Sequence, residues 1–121
     1  MDATSGYKVL APSVTRTTVE AEGWTLRQPV AGFVPVSCHR KAVSGSNDAP
    51  SVLQCLYSDG LASVSLFVEP YDAARHTQEK SAVMGATHSV TRRVGVHWLT
   101  AMGEVPPATL RRFAMALERT R

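Results

Sequence analysis

No run of roughly 18 consecutive apolar residues occurs in this sequence, so no segment reads as a membrane-spanning helix. The first six residues carry neither a basic n-region nor an apolar h-region and do not read as a signal peptide. Taken alone, that start suggests a cytoplasmic chain. The reading we favour is a domain excised from a longer exported protein. There is no Gly-x-Ser-x-Gly elbow for a serine nucleophile and no Gly-rich loop to cradle a phosphate. His39, His76, His88 and His97 show no HxxxH or HxH spacing, and Asp and Glu are scattered singly. Metal ligation and paired-carboxylate catalysis therefore have no support, and no cofactor is expected. A charge excess of only +3 over 121 residues is not by itself a nucleic-acid footprint.

What is present is ordinary for a soluble globular domain: 44% hydrophobic and 19% charged residues, enough for one domain with a modest core. Residues 1–22, rich in Thr and Ser, read as a flexible linker. The domain proper is expected over residues 23–121.

Strand-like segments can be read at 24–28, 33–41, 51–58, 61–69, 86–93 and 96–102. The cluster at 44–50 is a loop by composition, and Asp59-Gly60 is a hairpin signal. The polar stretch 71–83, with Arg75, His76, Glu79 and Lys80, suggests a mobile connection. From Pro106-Pro107 to Arg119 the chain reads as a helix. Proline is tolerated in a first turn, where its missing N–H would be unpaired anyway. Leu110, Phe113, Ala114 and Leu117 recur at helical spacing on one side.

A two-residue turn at Asp59-Gly60 would pair Ser58 with Leu61, Tyr57 with Ala62, Cys55 with Val64 and Leu53 with Leu66. Leu53, Cys55, Tyr57, Ala62, Val64, Leu66 and Val68 then share one face. A loop centred on Ser46-Asn47 adds Val34, Val36 and Cys38 to it. Ser37, His39, Gln54, Ser63 and Ser65 take the other face, with Phe33, Leu56 and Phe67 as apolar exceptions there. The expected fold is α+β: a five- to six-stranded antiparallel sheet with one C-terminal helix packed on its apolar face.

In that register Cys38 lies opposite Cys55. Opposed Cβ atoms stand roughly 4.5–5.5 Å apart, and a disulfide needs about 3.5–4.5 Å, within reach of a non-hydrogen-bonded pair. Two readings stay open: a cross-strand disulfide, or two buried thiols packing as small hydrophobes. Arg92 and Arg93 end a strand, one on each face, and Arg111 and Arg112 lie on the helix surface. Each pair is either solvated or a source of forked donors for a partner's acidic groups. Trp98 is either core filler or an exposed anchor.

Three segments together resemble the C-terminal domain of the MucB/RseB family. The first is Tyr57-Ser58-Asp59-Gly60-Leu61-Ala62-Ser63-Val64-Ser65-Leu66-Phe67-Val68-Glu69-Pro70. The second is Met84-Gly85-Ala86-Thr87-His88-Ser89-Val90-Thr91-Arg92-Arg93. The third is Gly103-Glu104-Val105-Pro106-Pro107-Ala108-Thr109-Leu110-Arg111-Arg112. They occur in the family's order, within a likeness running from about Gly23 to Ala116. The resemblance implies a periplasmic, non-enzymatic domain of a negative regulator of an envelope-stress sigma factor. Its implied partner is the periplasmic region of a membrane-spanning anti-sigma factor, shielded from regulated proteolysis. The family's lipoprotein-carrier-like N-terminal domain, a second implied partner, lies outside this sequence, and lipid sensing is credited there. The alternative is a lipid- or glycolipid-binding sensor module, which needs an apolar pocket open to solvent, and the sequence shows none that the helix would not fill.

Overall fold

A computed structural model describes residues 12–43, 51–74, 76, 79 and 81–120. The expected loop at 44–50, the linker reading of residues 1–11, and Arg75 and Lys80 lie outside the described residues. The elements in chain order are β1 (Pro12–Thr17), β2 (Trp24–Leu26), β3 (Val34–Val43), β4 (Val52–Ser58), β5 (Ser63–Pro70), β6 (Ser81–Met84), β7 (Thr87–Val94), β8 (His97–Gly103), α1 (Pro107–Ala116) and β9 (Leu117–Arg119). Seven strands form one antiparallel sheet in the order β1-β3-β4-β5-β8-β7-β6, and β2 pairs with β9. The class is α+β with a large antiparallel sheet and one C-terminal helix, and the sheet is wider than the five or six strands expected.

Three strands were not expected, β1 and β6 in the large sheet and β9 outside it, and β2 leaves the large sheet to pair with β9. β1 falls in the segment read as linker. Val14, Thr15 and Thr17 are β-branched and suit a pleated surface, but an edge strand with Val14, Thr15 and Arg16 all exposed shows no apolar alternation. β6 has four exposed residues and falls within the polar connection. β9 takes the last residues predicted as helix. At Leu117 the backbone turns extended, so Leu117–Arg119 can pair with the backbone of Trp24–Leu26. Arg27 N–H donates to the Ala116 carbonyl and Thr120 N–H to the Gly23 carbonyl, which closes both ends of the pairing.

Cys38 does face Cys55, but two register details differ. The loop after β4 has four residues, because Ser58 pairs with Ser63 and Cys55 with Leu66. Asp59 causes this. Its Oδ1 accepts the N–H groups of Leu61 and Ala62 at 2.8 and 2.7 Å, which holds its carboxyl below the usual carboxylate range. A side chain that satisfies two backbone donors favours the longer turn over the two-residue one. The slip is two residues, so every side chain keeps its face. The second difference is a bulge between Pro35 and Ser37, which sets Pro35, not Val36, opposite Tyr57. Val34 and Val36 are therefore 61% and 50% exposed and do not join the apolar face.

The core lies between the sheet and α1. Leu53, Cys55, Tyr57, Val64, Leu66 and Val68 face it from β4 and β5, and Leu99 and Ala101 from β8. Phe113 fills the centre at 0% exposure. Tyr57 and Phe33 sit 5.2 and 5.3 Å from it between ring centroids. Phe33 precedes β3 and turns into the core, so it is no exception on the polar face. Burial, with a smaller push from Glu20, raises the Tyr57 hydroxyl to about 12. Gly103 pairs with Val64 of β5, and a Cβ there would meet the Ser63 carbonyl oxygen.

Trp24 is buried, with His97 edge-on at 5.1 Å and the Arg119 guanidinium 5.0 Å over its ring. Burial first, then the cations Arg119 and Arg40, push the His97 pKa below its ordinary value of 6.5. The folded state disfavours protonated His97, so its stabilising contribution is complete above about pH 6.5 and is lost as pH falls through the folded pKa. We expect the melting temperature to fall between about pH 7 and pH 5, and His97→Gln to remove part of that fall. Parallel thermal scans at both pH values check this. Identical slopes in the two proteins would show that His97 does not contribute.

Candidate functional site

The expected site residues do not form one patch. Arg92 shares its face of β7 with Val90 and Val94, which are core-facing positions, so it points to the helix side of the sheet. Its Nη1 donates to the Ala114 carbonyl at 3.0 Å. It is half-buried and braces the last turn of α1 against the sheet. The alternation alone would have shown this, since an arginine two residues from Val90 must lie under whatever covers Val90.

Arg93 emerges on the opposite face. Its N–H donates to Glu79 Oε2 at 2.6 Å and its Nε to the Gly95 carbonyl at 2.9 Å. Its guanidinium stacks 3.8 Å from the Tyr71 ring centroid. Beside it, Trp98 is 7% exposed and covered by His76, whose ring is stacked at 4.7 Å. Asp72 N–H donates to His76 Nδ1 at 2.9 Å, so Nε2 carries the proton and faces Glu69 Oε1 at 2.6 Å. Trp98 thus fills a small second core on the face away from the helix. His76 and Glu79, from the connection expected to be mobile, hold it closed. A polar composition gave no sign of that packing, because one buried histidine decides it.

Arg111 and Arg112 are exposed on the outer side of α1. With Arg27 they line a groove of about 510 Å³ whose walls include Pro29, Val30 and Met115. Arg27 follows β2 directly, and the β2–β9 pairing carries it to the end of the helix. Nothing in the sequence pointed to it, since the pairing joins segments about ninety residues apart.

Cys38 and Cys55 are bonded to each other, with Cα atoms 4.0 Å apart. Cys38 also borders a second groove of about 390 Å³, lined by Val19, Leu26, Val30, Phe33 and Val36 among others. The expectation that the helix would fill the whole apolar face is not met. α1 lies mainly over β7 and β8, and the β1–β3 side is left to the segment joining β2 to β3. Among the described residues, no group of three or more His, Cys, Asp or Glu side chains could hold a metal ion, and no helix is long and apolar enough to cross a membrane.

Comparison with known proteins gives a consistent picture. Residues 18–118 match the MucB/RseB C-terminal domain. The chain is similar to one in the crystal structure of MucB in complex with MucA(peri), with a TM-score of 0.67, 24% identity and coverage of 82% of this chain and 37% of that one. It is also similar to one in the complex structure of Pseudomonas aeruginosa MucA/MucB, with a TM-score of 0.63, 25% identity and coverage of 82% and 35%. The chain thus spans little more than a third of the solved chains it resembles. No curated protein matches.

Proposed function

The chain belongs to the MucB/RseB C-terminal domain family, and on that premise we propose that it is a protein-binding regulatory domain of the periplasm and not an enzyme. It contacts the periplasmic region of a membrane-spanning anti-sigma factor and helps restrain that factor's proteolysis. The observation that carries this reading is the family match across residues 18–118, together with the fold shared with MucB in its complex with MucA(peri). The domain that precedes it in a parent protein is a second proposed partner. Of the four arginines, Arg111 and Arg112 remain proposed contacts because they are exposed on the helix surface. Arg93 remains one on the other face. Arg92 is committed to Ala114, so we assign it to holding the helix.

The test is direct. The purified chain is mixed with the cognate anti-sigma periplasmic region, and binding is followed by calorimetry, with cleavage of that region by its envelope protease in parallel. We expect saturable binding and slowed cleavage. Binding by the full-length parent but not by this chain would place the contact in another domain.

A second reading, a lipid or glycolipid ligand, draws on the open groove beside Phe33. Apolar walls of this size suit an acyl chain. Protein binding remains the first choice because the family match bears on it directly.

A further inference from the structure

We propose that the outer side of α1 is a docking surface for an acidic, apolar-anchored peptide segment, with Arg27 and Met115 as binding residues. This rests on the reading above and names the chemistry of the segment that the partner would present.

The groove that holds Arg27 and a smaller one of about 250 Å³, bordered by Glu79, Val90 and Arg92, flank the helix and share a single ridge. Arg111 and Met115, one helical turn apart, line both of them. Met115 is 58% exposed, a large apolar side chain lining the same groove as Arg27, Arg111 and Arg112. The larger groove carries Arg27, Arg111 and Arg112, and no carboxylate is among its lining residues. None of these three arginines makes an ion pair among the described residues. By contrast, Arg40 is paired with Glu22 at 2.6 Å and Arg92 is bonded to a carbonyl. Arg40 and Arg92 thus spend their guanidinium groups on contacts within the fold, whereas among the described residues these three present theirs on one surface.

Charge and shape together define the occupant. Three unpaired cations attract carboxylates, and arginine presents forked donors that fit them. The apolar walls, Pro29, Val30 and Met115, call for an apolar side chain between those carboxylates. Methionine at such a position adapts to irregular partners. The segment recognised therefore carries two or more Asp or Glu residues around an aliphatic or aromatic anchor.

The experiment measures association and dissociation rates with the anti-sigma periplasmic region for the intact chain and four variants. Arg27→Glu and Arg112→Glu should each slow association roughly tenfold at low ionic strength, because steering by charge acts on the encounter. That difference should shrink at high salt, where exposed charges are screened. Met115→Ser should speed dissociation several-fold and leave association unchanged. Lys41→Glu, an exposed cation on the opposite sheet face, should match the wild type. Circular dichroism melts establish that each variant is folded. Wild-type binding with all four variants indistinguishable would overturn the docking surface and leave the proposed function standing. Absence of wild-type binding would overturn both. Tighter binding of a mixed-sequence DNA, lost in the same arginine variants, would overturn the peptide assignment in favour of a polyanion site.

Discussion

A chain ended after Val105 will not unfold cooperatively, because it will have no packed core to lose. α1 and β9 supply Leu110, Phe113, Ala114, Ala116 and Leu117, all buried. Without them the apolar face holding Val64, Leu66, Leu99 and Ala101 meets water. The β2 strand also loses its pairing partner, and Trp24 loses its cover. A milder version makes the magnitude testable. Phe113→Ala removes a fully buried ring that touches both Phe33 and Tyr57. Phe→Ala at such a site costs about 3–5 kcal/mol, a large share of the roughly 5–15 kcal/mol that holds a domain together. Urea titration followed by tryptophan fluorescence reads both. A sigmoidal transition in the truncated chain, or a midpoint for Phe113→Ala within error of wild type, would refute the packing described.

The second large effect belongs to the Cys38–Cys55 bond. The two residues are 17 apart in sequence. Closing a loop of that size restricts the unfolded chain by about 3 kcal/mol in the chain-entropy description. Both sulfurs are buried, so reductant reaches them only as the chain opens, and the double variant Cys38→Ala with Cys55→Ala is the cleaner probe. Its melting temperature should fall on the order of 10–15 °C. Two titratable thiols in the denatured, non-reduced protein would show that the bond does not form.

The face pattern was legible in the sequence because it depends on parity alone. Leu53, Cys55, Tyr57, Val64, Leu66 and Val68 alternate with polar residues, and a register error of two residues moves none of them to the other face. The exact turn was less legible. Asp59-Gly60 does signal a hairpin, but which backbone donors Asp59 satisfies is a contest between two local geometries. β1 and β6 were illegible for a different reason. An exposed edge strand takes its stability from backbone pairing and has no need of apolar alternation. β9 lost its helical assignment to a tertiary partner, since Leu117 serves an amphipathic helix and a buried strand equally well. Within the candidate site, Arg111 and Arg112 were visible from helical periodicity. Arg27 was not, because only long-range pairing brings it near the helix.

The direct passage from α1 into β9 also has a kinetic side. The hairpins β4–β5, β6–β7 and β7–β8 join near neighbours in sequence, and such local contacts close early. The β2–β9 pairing joins residues 24–26 to residues 117–119, so its loop-closure entropy falls due only when nearly all of the chain is ordered. Trp24 waits for Leu117 and Arg119, and the helix that precedes them cannot settle without its continuation. During synthesis the domain therefore stays incomplete until β9 has emerged. Arrest or clipping ahead of α1 and β9 leaves an apolar sheet face without its helix, a target for quality-control proteases, and not a slightly shorter domain.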